Sequence, residues 1–203
     1  MPLSKAQIIT AAVVVIGVGG AIALGASLAS TQNATYEKER SVMADMEAER
    51  AQQAADNLKA ARDFLAENRT KPGVTQTASG LQYAVISAGP ANGPRPTATS
   101  QVVVNYRGKL LDGTEFDSSY RTGQAAVFEV GQLIPAWVEA LQLMRPGDEW
   151  TLWVPPELGY GEMGAGDQIG PNALLVFTMR LEEVVGAGDS GEAGVQADEG
   201  ATR

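Results

Sequence analysis

The residues best placed to do chemistry lie in four short segments: VNYRGKLLDGTEFDSS at 104–119, LIPAWVEALQLM at 133–144, VPPELGYG at 154–161 and IGPNALLVF at 169–177. Aromatic and apolar side chains recur at the loop ends of these segments, around what would be one pocket. Asp117 follows Phe116 in the first of them, and Tyr160 precedes Gly161 in the third. The chain has no His and no Cys, which removes a Ser-His or Cys-His nucleophile, a thiol redox pair and an ordinary His/Cys zinc site. Whatever the chain does, it does without those.

These segments need a framework, and the pattern around them is mostly strand. Residues 81–86 and 101–111 are rich in β-branched and aromatic types, with Val102, Val104 and Tyr106 on one face. Asp112-Gly113 then turns the chain. Residues 127–130 and 149–154 read as further strands, and in the last one Leu175, Phe177, Met179 and Leu181 share a face. The one helical signal here is 135–144. Proline is tolerated at its start because the first-turn amide is unpaired anyway, Trp137, Ala140, Leu141 and Met144 share a face, and Pro146-Gly147 stops it. One short helix burying that face on a curved antiparallel sheet follows.

The chain has 203 residues, 44% of them apolar, enough for one domain of ordinary size plus appendages. Its net charge is -9 with no basic segment, which argues against nucleic acid as a partner. Residues 1–34 form an uncharged apolar stretch after Lys5, long enough for the ~20 residues that cross a bilayer. It reads as a signal-anchor in the N-in, C-out orientation, holding the protein at the periplasmic side of the inner membrane. A cleavable signal peptide ending at Ala29, and hence a free periplasmic protein, is the other reading. Residues 35–72 are rich in Ala, Glu, Lys and Arg up to about Asn68 and form a helical stalk ended by Pro72-Gly73. Ala54, Leu58, Ala61 and Leu65 make an apolar line that either docks on the domain or supports a weak homodimer. Residues 186–203 read as a disordered acidic tail.

Taken together and in order, the four segments resemble the FKBP-type peptidyl-prolyl cis-trans isomerases over about 79–185, closest to the bacterial branch of macrophage infectivity potentiators. The stretch FLAENRTKPGVTQTASGLQY is similar to the junction in that branch where a long helix enters the isomerase domain. The resemblance implies an α+β fold: an FKBP-like curved antiparallel sheet wrapped on one short helix, preceded here by the transmembrane or signal helix and the stalk. It also implies rotamase activity without cofactor or metal, on proline-containing unfolded or extended polypeptides, with inhibition by macrolides of the rapamycin type. Trp137 would be the pocket floor, with Tyr106, Phe116, Phe128, Leu133, Ile134, Ile169 and Phe177 forming or backing the walls. Asp117 and Tyr160 would be polar contacts to the bound peptide, as would the Ile134 amide. Rotation about X-Pro faces a barrier of ~20 kcal/mol and takes ~10 to 100 s unaided. An apolar pocket that holds the ring can favour the twisted amide, whose resonance charge separation is lost.

Each residue has a plainer reading alone. Trp137, Tyr106 and Phe177 suit a core, Asp117 suits a turn or cap, and Tyr160 suits a loop. At the level of function, a low-turnover peptide-binding or chaperone module and a membrane-tethered spacer are the alternatives. The chain departs from the commonest family pattern at Ala126, Ala136, Ala165, Gln168 and Gly170, although the small residue at 126 and the IGPN loop are shared with the infectivity-potentiator branch. Ala136 stands where glycine is usual, and its Cβ would strain the backbone if that position required a positive φ. The branch also carries a larger helical dimerisation region than the residues available here, so dimerisation does not follow from the resemblance.

Overall fold

The computed structural model describes residues 27–185. The acidic-tail assignment and most of the anchor or signal assignment therefore fall outside the described residues. Among the described residues no helix is long and apolar enough to cross a membrane. The chain divides into two compact units, Met1–Glu47 and Ala48–Arg203.

The first described element is helix α1, Ser27–Asn68. Ala, Glu, Lys and Arg predominate from residue 35 and no Gly or Pro interrupts it, so propensity carries the helix through a stretch that buries nothing. Residues 35–53 are exposed throughout. From Ala54 onward one face turns inward: Ala54, Leu58 and Leu65 are half-buried and Ala61 is buried. The apolar line thus docks the last turns of α1 on the domain that follows. A polar latch that the apolar pattern did not reveal secures the docking. Buried Asn68 donates from Nδ2 to Gln82 Oε1 at 3.0 Å, and Gln82 Nε2 donates to the Leu65 carbonyl at 2.8 Å and to Gln76 Oε1 at 3.0 Å. Pairing these amides with one another offsets the penalty of burying them.

The remainder of the unit is a seven-stranded antiparallel sheet: β1 (Val74–Gln76), β2 (Gln82–Ser87), β3 (Gln101–Leu110), β4 (Glu115–Ser118), β5 (Ala126–Glu129), β6 (Glu149–Val154) and β7 (Leu175–Val185). The order is β1-β2-β6-β7-β3-β4, with β5 also paired to β3. β1, too short to show a period, had no sequence signal. β3 organises the site. One edge runs along β7, from Gln101 opposite Val185 to Leu110 opposite Leu175, with a bulge between Val103 and Val104. Its other edge is shared, with β5 against Gln101–Val104 and β4 against Arg107–Lys109. Tyr106 sits between the two short partners.

The expected Asp-Gly turn closes the β3–β4 hairpin as a three-residue loop. Leu110 N donates to the Thr114 carbonyl at 2.8 Å, Thr114 N donates to Asp112 Oδ1 at 2.8 Å, and Gly113 takes φ +90, a left-handed value that a Cβ would penalise. Helix α2, Pro135–Leu143, lies on the inner face of the sheet and buries Ala136, Trp137, Ala140 and Leu141. These meet Val102, Val104, Leu152, Val154, Met179 and Leu181, so that the strands' period of two and the helix's period of 3.6 fill one core. Ala136 lies inside α2 and is wholly buried. Among the described residues the only non-glycine with positive φ is Asn172, so the Cβ of Ala136 meets no backbone strain.

Candidate active site

The site begins with Trp137 on the first turn of α2. Pro135 presets the helical start, and the Trp137 amide donates to the Ile134 carbonyl at 2.9 Å, which fixes where the indole leaves the backbone. Three rings meet the indole edge to face: Tyr106 at 5.0 Å and 81°, Phe177 at 5.2 Å and 82°, and Phe128 at 5.9 Å and 82° between centroids. Such T-shaped pairs are favoured by the ring quadrupoles and add ~0.5–1.5 kcal/mol each beyond area burial. The indole Nε1 is buried and has no hydrogen-bond partner among the described residues, where shape and ring contacts hold this side chain.

Around this indole the structure assembles one cavity of about 190 Å³ lined by Tyr106, Phe116, Asp117, Phe128, Leu133, Ile134, Trp137, Tyr160 and Phe177. Every expected site residue is in that lining except Ile169. Ile169 lines an adjoining groove of about 430 Å³ together with Ala165, Gly166, Asp167 and Gln168, and Phe116, Asp117 and Tyr160 border both spaces. The cavity lies below the ~300–1,000 Å³ that encloses a drug-sized ligand. It suits one small ring, with the groove open to whatever the ring is attached to.

The polar rim is ordered by Asp117. Its Oδ2 accepts from the Tyr106 hydroxyl at 2.6 Å, and its Oδ1 accepts from Arg121 Nη2 at 3.0 Å and from the Ser118 amide at 2.8 Å. Arg121 also donates to the Phe116 carbonyl at 2.8 Å, bracing the strand that carries both residues. Burial, and then the bond to Asp117, raise the Tyr106 pKa well above the usual phenol value, so this hydroxyl stays a donor. Burial and the Asp117 charge also raise that of Tyr160. The Ile134 amide finds no acceptor among the described residues and borders the cavity. A bound carbonyl could take that donor.

Three contributors were not singled out in the sequence. Gly108, opposite both Asp117 and Phe177 in the sheet, leaves room for Phe116 and Phe177 to meet edge to face at 5.6 Å. A Cβ there would lie 2.6 Å from Phe116 Cζ and 2.8 Å from Phe177 Cε1. The signal available was a lone glycine inside a β-branched strand, which marks close approach. Ser119 accepts from the Tyr106 amide at 3.0 Å and so holds that strand at the site. Arg121, four residues after Asp117, neutralises the rim carboxylate at a separation that only the turn following β4 produces.

An antiparallel sheet packed on one short helix, with a small aromatic cavity opening beside a groove, defines the class of domain. Comparison with known proteins gives that class a family. The profile described as FKBP-type peptidyl-prolyl cis-trans isomerase matches residues 93–182, and that of the domain amino terminal to FKBP-type peptidyl-prolyl isomerase matches residues 4–85. The chain is 49% identical over 128 residues to peptidyl-prolyl cis-trans isomerase Mip of Coxiella burnetii, covering 63% of this chain and 55% of that protein. It is 43% identical over 146 residues to outer membrane protein MIP of Legionella longbeachae, covering 72% of this chain and 62% of that protein. The crystal structure of FkpA from Escherichia coli matches with a TM-score of 0.68 at 33% identity, covering 91% of this chain and 83% of that one. The chain belongs to the FKBP-type peptidyl-prolyl cis-trans isomerase family, in the branch of the Mip proteins. It spans 55% and 62% of the length of those two curated relatives.

Proposed function

We propose that this protein is a peptidyl-prolyl cis-trans isomerase that assists folding in the cell envelope by accelerating X-Pro rotation in unfolded or extended polypeptides. The observation that carries the reading is the ring-sized cavity over Trp137, with an unpaired amide at Ile134 and an ordered carboxylate at Asp117 on its rim. The proline ring seats on the indole, walled by Tyr106, Phe128 and Phe177. Leu133, Ile134 and Phe116 exclude water, and Ile169 with the groove receives the flanking chain. The planar amide carries a larger dipole than the twisted one, so a dry apolar wall disfavours the ground state more than the transition state. The Ile134 amide takes a substrate carbonyl, while Asp117 and Tyr160 supply polar contacts at the rim. No step requires a nucleophile or a redox group.

The segment plan that goes with this function is an apolar anchor or cleaved signal at 1–34, a helical stalk at 35–72, the isomerase domain at 79–185 and an acidic tail at 186–203. An uncleaved anchor places the domain on the periplasmic side of the inner membrane, and cleavage after Ala29 gives a free periplasmic protein. The outer-membrane name of the Legionella relative supports an envelope location. Retention of Met1 or Pro2 in a carbonate-resistant membrane fraction separates the anchor from the cleaved form.

Activity is tested with the full chain in a protease-coupled isomerisation assay, using a short peptide with an apolar residue before proline. The expected result is acceleration that a rapamycin-type macrolide abolishes. A well-folded protein that leaves the uncatalysed rate unchanged refutes the proposal.

A further inference from the structure

We propose that residues 50–57 of α1 are a positioning element of the isomerase site. They clamp the loop at 161–172, whose inner side forms the wall of the substrate groove. The proposal rests on the isomerase reading of the pocket, and it assigns to the helix a role in the site that the isomerase profile, matched from residue 93, leaves outside.

The loop needs an external constraint. Gly161, Gly164 and Gly166 take φ +56, +65 and +54, left-handed values that glycine adopts without steric cost, and ordering three glycines gives up more conformational freedom than ordering other residues. Within the loop, Ala165 and Ile169 exchange backbone bonds at 2.9 and 3.1 Å, and the Asn172 amide closes the base on the Gly161 carbonyl at 2.8 Å. These bonds shape the loop, and buried Ile169 seats its middle in the core.

The loop's two ends are held by α1. Arg50 Nη2 donates to the Met163 carbonyl at 2.8 Å, Asn57 Nδ2 donates to the Pro171 carbonyl at 2.8 Å, and Asn172 Nδ2 donates to the Ala54 carbonyl at 3.3 Å. Between them Gln53 sits so close to Gly170 that a Cβ at 170 would lie 3.0 Å from its Nε2. Residues 50, 53, 54 and 57 fall on one helical face by their spacing of three and four, so a single stripe of α1 grips both ends of the loop. Asn172 is held at φ +53, a conformation costly for a residue with a Cβ, and its bonds to Ala54 and Gly161 hold it there. The gripped loop carries Ala165, Gly166, Asp167, Gln168 and Ile169 along the groove, and Tyr160 immediately precedes it. Glycine at 170 is thus what the clamp requires, since it lets the helix approach, and α1 adds to the hold that buried Ile169 has in the core.

The prolyl cavity itself lies outside the gripped loop, so the clamp acts on the groove. A four-residue substrate, whose proline ring fills the cavity and whose few flanking residues enter little of the groove, should be little affected, and a long chain should be. The test uses the full chain carrying Arg50→Ala with Asn57→Leu. Turnover of a tetrapeptide with an apolar residue before proline is compared with catalysis and binding of a reduced, alkylated, permanently unfolded protein chain, binding being read by fluorescence anisotropy. The expected result is a rise of about fivefold or more in KM and Kd for the long chain, the lower end of ordinary site-to-site coupling. Tetrapeptide kcat/KM should stay within about twofold, and Arg50→Lys, which keeps a donor for Met163, should behave as wild type. Wild-type KM and Kd for the long chain in the folded double variant overturn the proposal. So does an equal loss on both substrates accompanied by a lower melting temperature, which marks a merely structural contact. If the double variant does not fold, Asn57→Ala alone decides: it removes the bond to the Pro171 carbonyl while keeping a helix-favouring residue, its long-chain KM and Kd should rise, and no rise overturns the clamp. A wild-type protein that binds the long chain but does not turn over tetrapeptide refutes the isomerase reading instead, and the Kd comparison still judges the clamp.

Discussion

Gly108→Ala tests whether the pocket wall depends on backbone clearance. The added methyl would stand 2.6 Å from Phe116 Cζ and 2.8 Å from Phe177 Cε1, where ordinary contact begins at 3.4 Å. Closing that gap needs about 0.8 Å of movement by the Phe116 ring, the difference between 3.4 and 2.6 Å. Neither ring is free to give it. Phe177 is pinned edge-on against Trp137, and Phe116 against Phe177, with both more than nine-tenths buried. Overpacking of this kind costs ~1–3 kcal/mol, and for a protein of this size that lowers the melting temperature by roughly 2–12 °C. The φ of Gly108 is not positive, so none of the loss comes from backbone strain. Turnover of a short X-Pro peptide should fall with stability, because the displaced rings line the cavity. Adding Phe116→Leu removes the Phe116 atoms the methyl meets and leaves room for the Phe177 ring to shift, so the double variant should recover part of the lost melting temperature while turnover stays low. Gly108→Ala with wild-type melting and turnover, or a double variant less stable than either single one, would refute the packing argument.

Asp117→Asn keeps an acceptor for Tyr106 only by turning its amide nitrogen toward Arg121 and the Ser118 amide, whose bonds are lost, and Tyr160→Phe removes one rim hydroxyl; each should lower kcat/KM by roughly tenfold or less, the scale of one or two hydrogen bonds, with circular dichroism unchanged. Trp137→Ala should cost ~3–5 kcal/mol in stability as well as the pocket floor, read by urea titration alongside the activity assay. The raised pKa values of Tyr106 and Tyr160 give a signed pH dependence: their contribution is fully present below the ordinary tyrosine pKa of about 10 and falls as pH rises above it, where the unfolded state loses protons first. Urea midpoints measured on either side of that pH should drop on the alkaline side, and the drop should shrink in Tyr106→Phe; a midpoint that rises with alkalinity contradicts the assignment. Gln82→Leu leaves Asn68 buried without its partner and should lower the melting point, with loss of protection at α1's last turns in hydrogen exchange.

Much of this protein follows from local order along the chain. Alternating apolar residues in β3 and β7, the Pro135 start and Pro146-Gly147 stop of α2, and the Asp112-Gly113 turn each depend on near neighbours, and their periods hold in the fold. The absence of His and Cys excluded whole classes of catalysis by elementary chemistry. The candidate site residues were visible for the same reason, since they sit at the ends of those elements in an order shared with a family. What only tertiary structure decided is which of them meet, and what holds them. Asp117 is oriented by Tyr106 across a strand pair, Gly108 matters because two rings converge on it, and Ile169 belongs to the groove rather than the cavity. Gln82 and Asn68 latch a helix onto a sheet, and Arg50, Gln53 and Asn57 reach a loop more than a hundred positions away. A polar residue on an exposed-looking helix carries no period that marks its partner. Its role is fixed by a distance in space, and the chain's order does not contain that distance until the sheet has curved and the helix has docked.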